Sequence, residues 1–200
     1  AWLRSLPDDY MTKKQTVSYA GLFDDVGADA WYASSVDYVK YGRLMYGTGN
    51  NLFQPDAQMT RAMFAQVLYA LEGSPSVRGL SCPFTDAGGS WYTDAVIWAY
   101  HAGVVAGVSA TQFAPNEALT REQMVTMLYG YAGRDEQLSG SDGALASYQD
   151  QASVSGWARE AMAWAVSTGV ITGTSTTTLA PQKIGTRAEV ATVLMQFCEQ

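Results

Sequence analysis

Between positions 91 and 102 the small and aromatic apolar residues fall at Trp91, Ala95, Trp98, Ala99 and Ala102. Further along, Trp157, Ala161, Trp164, Ala165 and Thr168 repeat the spacing. Steps of three and four put each set on one stripe of an α-helix. A second kind of stripe is formed by Phe64, Val67, Leu68 and Leu71, and again by Met124, Met127, Leu128 and Tyr131. No segment sustains the period-two alternation of a half-buried strand. The pattern predicts an all-α chain in which two helices alternate with turn-rich connections.

Punctuation agrees with the stripes. The second helices open at Thr60-Arg61, Thr120-Arg121 and Thr186-Arg187. Threonine is a good N-cap, and Gln123 and Glu189 stand three residues beyond it, which makes a capping box; Met63 in the first copy lacks the reciprocal half. Gly103 and Gly169 fall where a left-handed residue would close the first helices, a place taken by Arg43 in the first copy.

The two-helix unit recurs in register. Trp31, Trp91 and Trp157 are followed by Thr60, Thr120 and Thr186, 29 residues on each time (31 to 60, 91 to 120, 157 to 186). Gly47, Gly107 and Gly173 lie between them, then Phe53, Phe113 and Leu179, then Pro55, Pro115 and Pro181. Each unit starts with an aromatic-x-Asp: Phe23 to Asp25, Phe84 to Asp86, Tyr148 to Asp150. Such periodicity marks tandem modules. The expected division is an N-terminal segment or linker at 1–22 and repeats at 23–73, 84–133 and 148–200, joined by the Gly/Ser/Pro-rich stretches 73–83 and 133–147. The opening "AWLRSLPDD" suggests a piece of a longer protein.

Composition narrows the function. With 48% hydrophobic and 12% aromatic residues the chain can bury a core. A formal net charge of -7 and only four lysines argue against a nucleic-acid phosphate backbone as partner, and no apolar run reaches the roughly 18 residues of a membrane span. An anion can still be held where a few cations and helix ends converge.

The arginines are the candidate chemistry. A cation at the first helical position opposes the positive end of the helix dipole, yet Arg61, Arg121 and Arg187 all stand there. Two readings fit: a structural ion pair with a carboxylate such as the aromatic-x-Asp residue, or a site where unpaired backbone N–H groups and a planar guanidinium meet one ligand carboxylate. Trp31, Trp91 and Trp157 are either core residues, the reading the stripe favours, or platforms for a sugar face. Gly47, Gly107 and Gly173 mark either positive φ or close backbone approach. Catalysis finds no constellation: His101 has no repeated partner, Asp24, Asp25, Asp86 and Asp150 recur as helix or loop caps would, and Cys82 and Cys198 lack metal spacing while leaving a disulfide open.

An aromatic-x-Asp start, a tryptophan opening a helix, a Gly-bearing loop with Phe-x-Pro and then Thr-Arg-Ala-Glu, in three copies over residues 23–198, resembles the S-layer homology family. The resemblance implies three helix-loop-helix modules in a pseudo-threefold arrangement around a shared central helical core. It implies grooves between adjacent repeats, and a non-covalent anchor of an exported protein at the bacterial cell wall. The implied partner is secondary cell-wall polysaccharide carrying pyruvate ketal, bound by a monomer with neither membrane insertion nor cofactor. Carried over, the ligand-binding candidates are Arg61, Arg121, Arg187, Thr60, Thr120, Thr186, Trp31, Trp91, Trp157, Gly47, Gly107 and Gly173. Met63 and Gln123 depart from the family's glutamate, so the grooves are expected to be unequal. The alternative is a structural or protein-interaction module with degenerate sugar sites.

Overall fold

The computed structural model describes residues 22–134 and 138–200; the expected N-terminal segment lies outside the described residues except for Leu22. Six α-helices are present among them: α1 Ala33–Tyr41, α2 Arg61–Leu71, α3 Thr93–His101, α4 Arg121–Ala132, α5 Arg159–Ser167 and α6 Arg187–Cys198. No β-strand occurs among the described residues, only isolated bridges. The chain divides into two compact units, one formed by residues up to Gln58 with Thr186–Gln200, the other by Met59–Gly185.

Helices pair across the sequence repeats. In the first unit α1 packs on α6; in the second α2 packs on α3 and α4 on α5, with α2 also against α4. A short amphipathic helix cannot bury its stripe alone, and here the partner comes from another repeat. Phe64, Leu68, Met124 and Leu128 are fully buried, as the stripes predict, and Trp98 and Trp164 lie in the core.

Each connecting loop is held by its aromatic-x-Asp carboxylate. Asp86 accepts from the backbone N–H of Phe113 (2.9 Å) and Ala114 (2.8 Å), and Asp150 from Leu179 (2.8 Å) and Ala180 (2.7 Å). Asp25 does the same for Phe53 (2.8 Å) and Gln54 (2.7 Å). The second residue of each pair is left-handed without being glycine, with φ of 57° at Gln54, 58° at Ala114 and 53° at Ala180, just ahead of the conserved-spacing proline. That conformation is costly for an L-residue, and two charge-assisted bonds per turn offset it. Phe53, Phe113 and Leu179 then insert fully into the core, which fixes the loop on the helices.

The residues preceding the three Thr-Arg pairs close a small ring. Met59 N–H donates to Gly185 O (3.1 Å), Leu119 N–H to Met59 O (2.8 Å), and Gly185 N–H to Leu119 O (2.9 Å). Each repeat therefore passes its main chain into contact with both others before its second helix begins. The second linker is not wholly open chain: 142–145 forms a 3₁₀ turn against α5, because Leu145 is apolar and buries completely.

Candidate functional site

All three arginines are buried, and their charge is directed into the protein's own loops. Arg61 Nε donates to Phe113 O (2.8 Å) and Nη2 to Ala106 O (3.3 Å). Arg121 donates to Leu179 O (3.2 Å) and Thr172 O (2.6 Å), and Arg187 to Phe53 O (2.7 Å) and Tyr46 O (2.6 Å). Arg61 and Arg187 also lie over the rings of Phe113 and Phe53, 4.7 and 4.6 Å from the centroids. A guanidinium that locks two carbonyls and an aromatic face explains why the helix starts accept a cation. Burial pulls Arg61 and Arg187 below the usual arginine range, against the charges of Glu117 and Asp86 on the first and of Asp25 on the second.

The expected unpaired N–H groups at these helix starts are not found. In α2 the amides of Arg61 and Ala62 donate to Glu117 O and Pro115 O (both 3.0 Å), and that of Met63 to Thr60 Oγ1 (3.2 Å). In α4 the first two amides donate to Lys183 O and Pro181 O, in α6 to Ala57 O and Pro55 O, and Thr120 and Thr186 cap the third. The loop that each arginine locks also satisfies the helix end. Thr60, Thr120 and Thr186 are thus N-caps, with capping boxes through Gln123 and Glu189.

A groove of about 480 Å³ opens within the Met59–Gly185 unit. Its wall is built from Arg61 of α2, the loop 104–108, Gln123, Thr126 and Met127 of α4, and Trp157. Arg61 carries the charge on this wall; the rest is apolar or neutral polar, the composition typical of a small-ligand site. The structure therefore gathers Arg61, Gly107 and Trp157, three of the sequence-predicted residues, in one concavity.

The core reading of the first tryptophans is overturned. Trp31, Trp91 and Trp157 are 67, 61 and 60% exposed. The helices start two residues later than the stripe implied, at Ala33, Thr93 and Arg159. A tryptophan outside the helix no longer shares the face of the residue four positions on. Its neighbour goes inward instead: Tyr92 and Ala158 are buried. The three glycines at 47, 107 and 173 have no positive φ either. A Cβ would strike an aromatic ring, Phe23 at 2.6 Å, Phe84 at 2.5 Å and Tyr148 at 2.6 Å, as well as loop carbonyls. Packing of the loop on the aromatic-x-Asp residue requires glycine here.

A buried carboxylate that sequence reasoning passed over holds the turn bearing Trp157. Glu122, 2% exposed, accepts from Ser155 N–H (3.0 Å), Ser155 Oγ (2.8 Å) and Gln182 Nε2 (2.7 Å). The corresponding positions in the other repeats are Ala62 and Ala188, and that inequality was the available signal. His101 lies at the surface with Nε2 2.8 Å from Ser81 O, and Cys82 and Cys198 are free thiols. Among the described residues no group of three or more His, Cys, Asp or Glu side chains is placed to hold a metal ion, and no helix is long and apolar enough to cross a membrane.

Comparison with known proteins gives the family. The chain is 28% identical over 180 residues to exoglucanase XynX of Acetivibrio thermocellus, with 89% of this chain and 16% of that protein covered. It is 27% identical to an S-layer protein of Bacillus thuringiensis subsp. finitimus (89% of this chain, 21% of that protein). It is also 30% identical to the surface-layer 125 kDa protein of Lysinibacillus sphaericus (92% of this chain, 15% of that protein). The chain thus spans about a fifth or less of the length of these relatives. Similarity to surface-layer proteins puts it at the cell surface or wall. The S-layer homology domain matches at residues 22–65, 83–125 and 147–191, and with three copies covering more than half of its length the chain belongs to the S-layer homology domain family.

Proposed function

We propose that the chain is a non-covalent cell-wall anchoring module of an exported bacterial protein, and that the groove of Arg61, Gly107 and Trp157 binds secondary cell-wall polysaccharide at its pyruvate ketals. The observation that carries this reading is one exposed indole standing over a concavity whose charge is a buried arginine. An indole face is suited to a sugar ring. Arg61 Nε and Nη2 are engaged with loop carbonyls, while Nη1 has no acceptor among the described residues and is the group for a ligand carboxylate. In this reading the arginine serves twice, locking the loop with two nitrogens and meeting the ketal with the third.

Trp31 and Trp91, equally exposed, are proposed as further sugar platforms, and Arg121 and Arg187 as further ligand cations. The repeat boundaries 23–73, 84–133 and 148–200 are proposed as the limits of the modules. The test is Trp157→Ala, titrated with an acidic oligosaccharide fraction released from purified bacterial walls. Because Trp157 is 60% exposed, its loss should leave the melting temperature within about a degree and weaken binding about tenfold, the scale of a stacked aromatic contact. Undiminished binding at this groove by the folded variant removes the sugar-platform role.

A further inference from the structure

The turn that carries Trp157 is fastened to α4 by one buried side chain. Glu122 accepts from Ser155 N–H (3.0 Å) through one carboxylate oxygen, and from Ser155 Oγ (2.8 Å) and Gln182 Nε2 (2.7 Å) through the other. We infer that Glu122 is a positioning residue of the groove: by clamping Ser155 it presets the turn 156–158, so that the Trp157 indole already stands where a sugar ring meets it. The inference rests on the groove being a saccharide site, and adds the residue that readies it.

Ser155 is the N-cap of the 3₁₀ turn Gly156–Ala158, yet its hydroxyl makes no cap bond within that turn and donates to Glu122 instead. Its amide goes to the same carboxylate, so both donors of the residue two positions before Trp157 are directed to α4. Gln182, in the loop after Pro181, joins the clamp: its Nε2 also lies 3.3 Å from Ser153 O and from Ser155 Oγ. Glu122 stands in the first turn of α4, where the helix dipole favours an acid, and three donors satisfy it despite its burial.

The other tryptophans have no such clamp. Trp91 and Trp31 follow Gly89 and Asp29 where Trp157 follows Ser155, and the helix positions matching Glu122 hold Ala62 and Ala188. Trp157 is 60% exposed, so packing of its ring does little to hold it. A platform on a loose turn must be ordered as the ligand binds, which lowers affinity. A clamp already made in the free protein removes that loss.

Glu122→Gln keeps the size of the side chain and loses one of its two acceptors. Coulomb's law alone predicts the opposite sign from the clamp, because removing a negative charge near a site for an acidic ligand would tighten binding. The parent, Glu122→Gln, Trp157→Ala and the double variant are titrated with the acidic oligosaccharide fraction from purified walls. Binding is followed at the backbone amide resonance of Gly107, on the groove wall. Glu122→Gln should bind about three- to tenfold more weakly, a loss no larger than that of the stacked contact it positions. The indole N–H of Trp157 should gain fast motion in relaxation measurements while that of Trp91 is unchanged. In the double variant the glutamine should add nothing to the loss from Trp157→Ala, since its effect passes through the indole. Ser155→Ala breaks the clamp from the other side and should weaken binding in the same direction; it is read in place of Glu122→Gln if that protein does not fold. Equal or tighter binding by the folded variant, or a loss that adds in full to that of Trp157→Ala, overturns the inference and leaves the saccharide site standing. An unresponsive Gly107 in the parent removes the saccharide site, and the inference falls with it.

Discussion

Replacing Arg61 by alanine should cost stability even with no ligand present. The side chain gives up a 2.8 Å bond to Phe113 O, a longer 3.3 Å bond to Ala106 O and its stacking on the Phe113 ring at 4.7 Å. A hydrogen bond from a charged donor contributes about 1.5 to 3 kcal/mol net, and the longer one counts for less. Together they give a loss of about 2 to 4 kcal/mol. In a chain of this size each kcal/mol moves the melting temperature by about 2 to 4 °C, so calorimetry should show a drop of about 4 to 16 °C. Lysine keeps the charge but not the planar fork that reaches two carbonyls, and should recover part of the loss. The backbone amides of residues 105–107 should also exchange faster in the alanine variant, since the loop has lost its lock. A folded Arg61→Ala protein melting within a degree of the parent would refute this account of the buried arginine.

Two further outcomes follow from the carboxylates. Asp150 is held below the ordinary carboxylate range mainly by the Leu179 amide. Burial pushes Asp86 upward, but the Phe113 and Ala114 amides, its own amide and Arg61 together hold it below that range. A depressed folded-state value contributes stability above the unfolded value, and that contribution is lost as pH falls through the folded one. The acid limb of melting temperature against pH should therefore be shallower in Asp86→Asn and Asp150→Asn than in the parent. Asp37 on α1 is the opposite case: it is 1% exposed, its Oδ2 has no hydrogen-bond partner among the described residues, and burial raises it from 3.8 to about 6 against the pull of Lys40. Its stabilising preference for the protonated form is lost as pH rises through about 6, so Asp37→Asn should raise the melting temperature at pH 7.5 by more than at pH 4.5.

Helix type, order and caps were legible in the sequence because they depend on local periodicity and on side chains a few residues apart. Thr60, Thr120 and Thr186 cap as expected, and the boxes at Gln123 and Glu189 close where the spacing puts them. The aromatic-x-Asp residues were legible as caps from their recurrence, though not whether they capped a helix or a loop. What could not be read was the destination of contacts spanning 45 or more positions. The carbonyls that Arg61 locks at residues 106 and 113 carry no side-chain signature, since any residue offers a carbonyl. The first tryptophans were misplaced for a local reason. Their i, i+4 partners Ala95 and Ala161 are buried, but the helices begin after the tryptophan, and helix starts are uncertain by a residue or two where the N-cap lacks a capping side chain. Tyr92 and Ala158 are such N-caps. The groove escaped notice because α2, α4, a loop and Trp157 come together in it from three repeats.

Co-sedimentation of the purified chain with bacterial wall preparations, before and after the pyruvate ketals are removed by mild acid, bears on the anchor directly. The chain should pellet with intact walls, stay in solution with treated walls, and lose most of its wall binding when Trp31, Trp91 and Trp157 are all replaced by alanine. Equal pelleting with intact and treated walls would contradict ketal recognition, and full pelleting of the folded triple variant would contradict the exposed tryptophans as the binding surface.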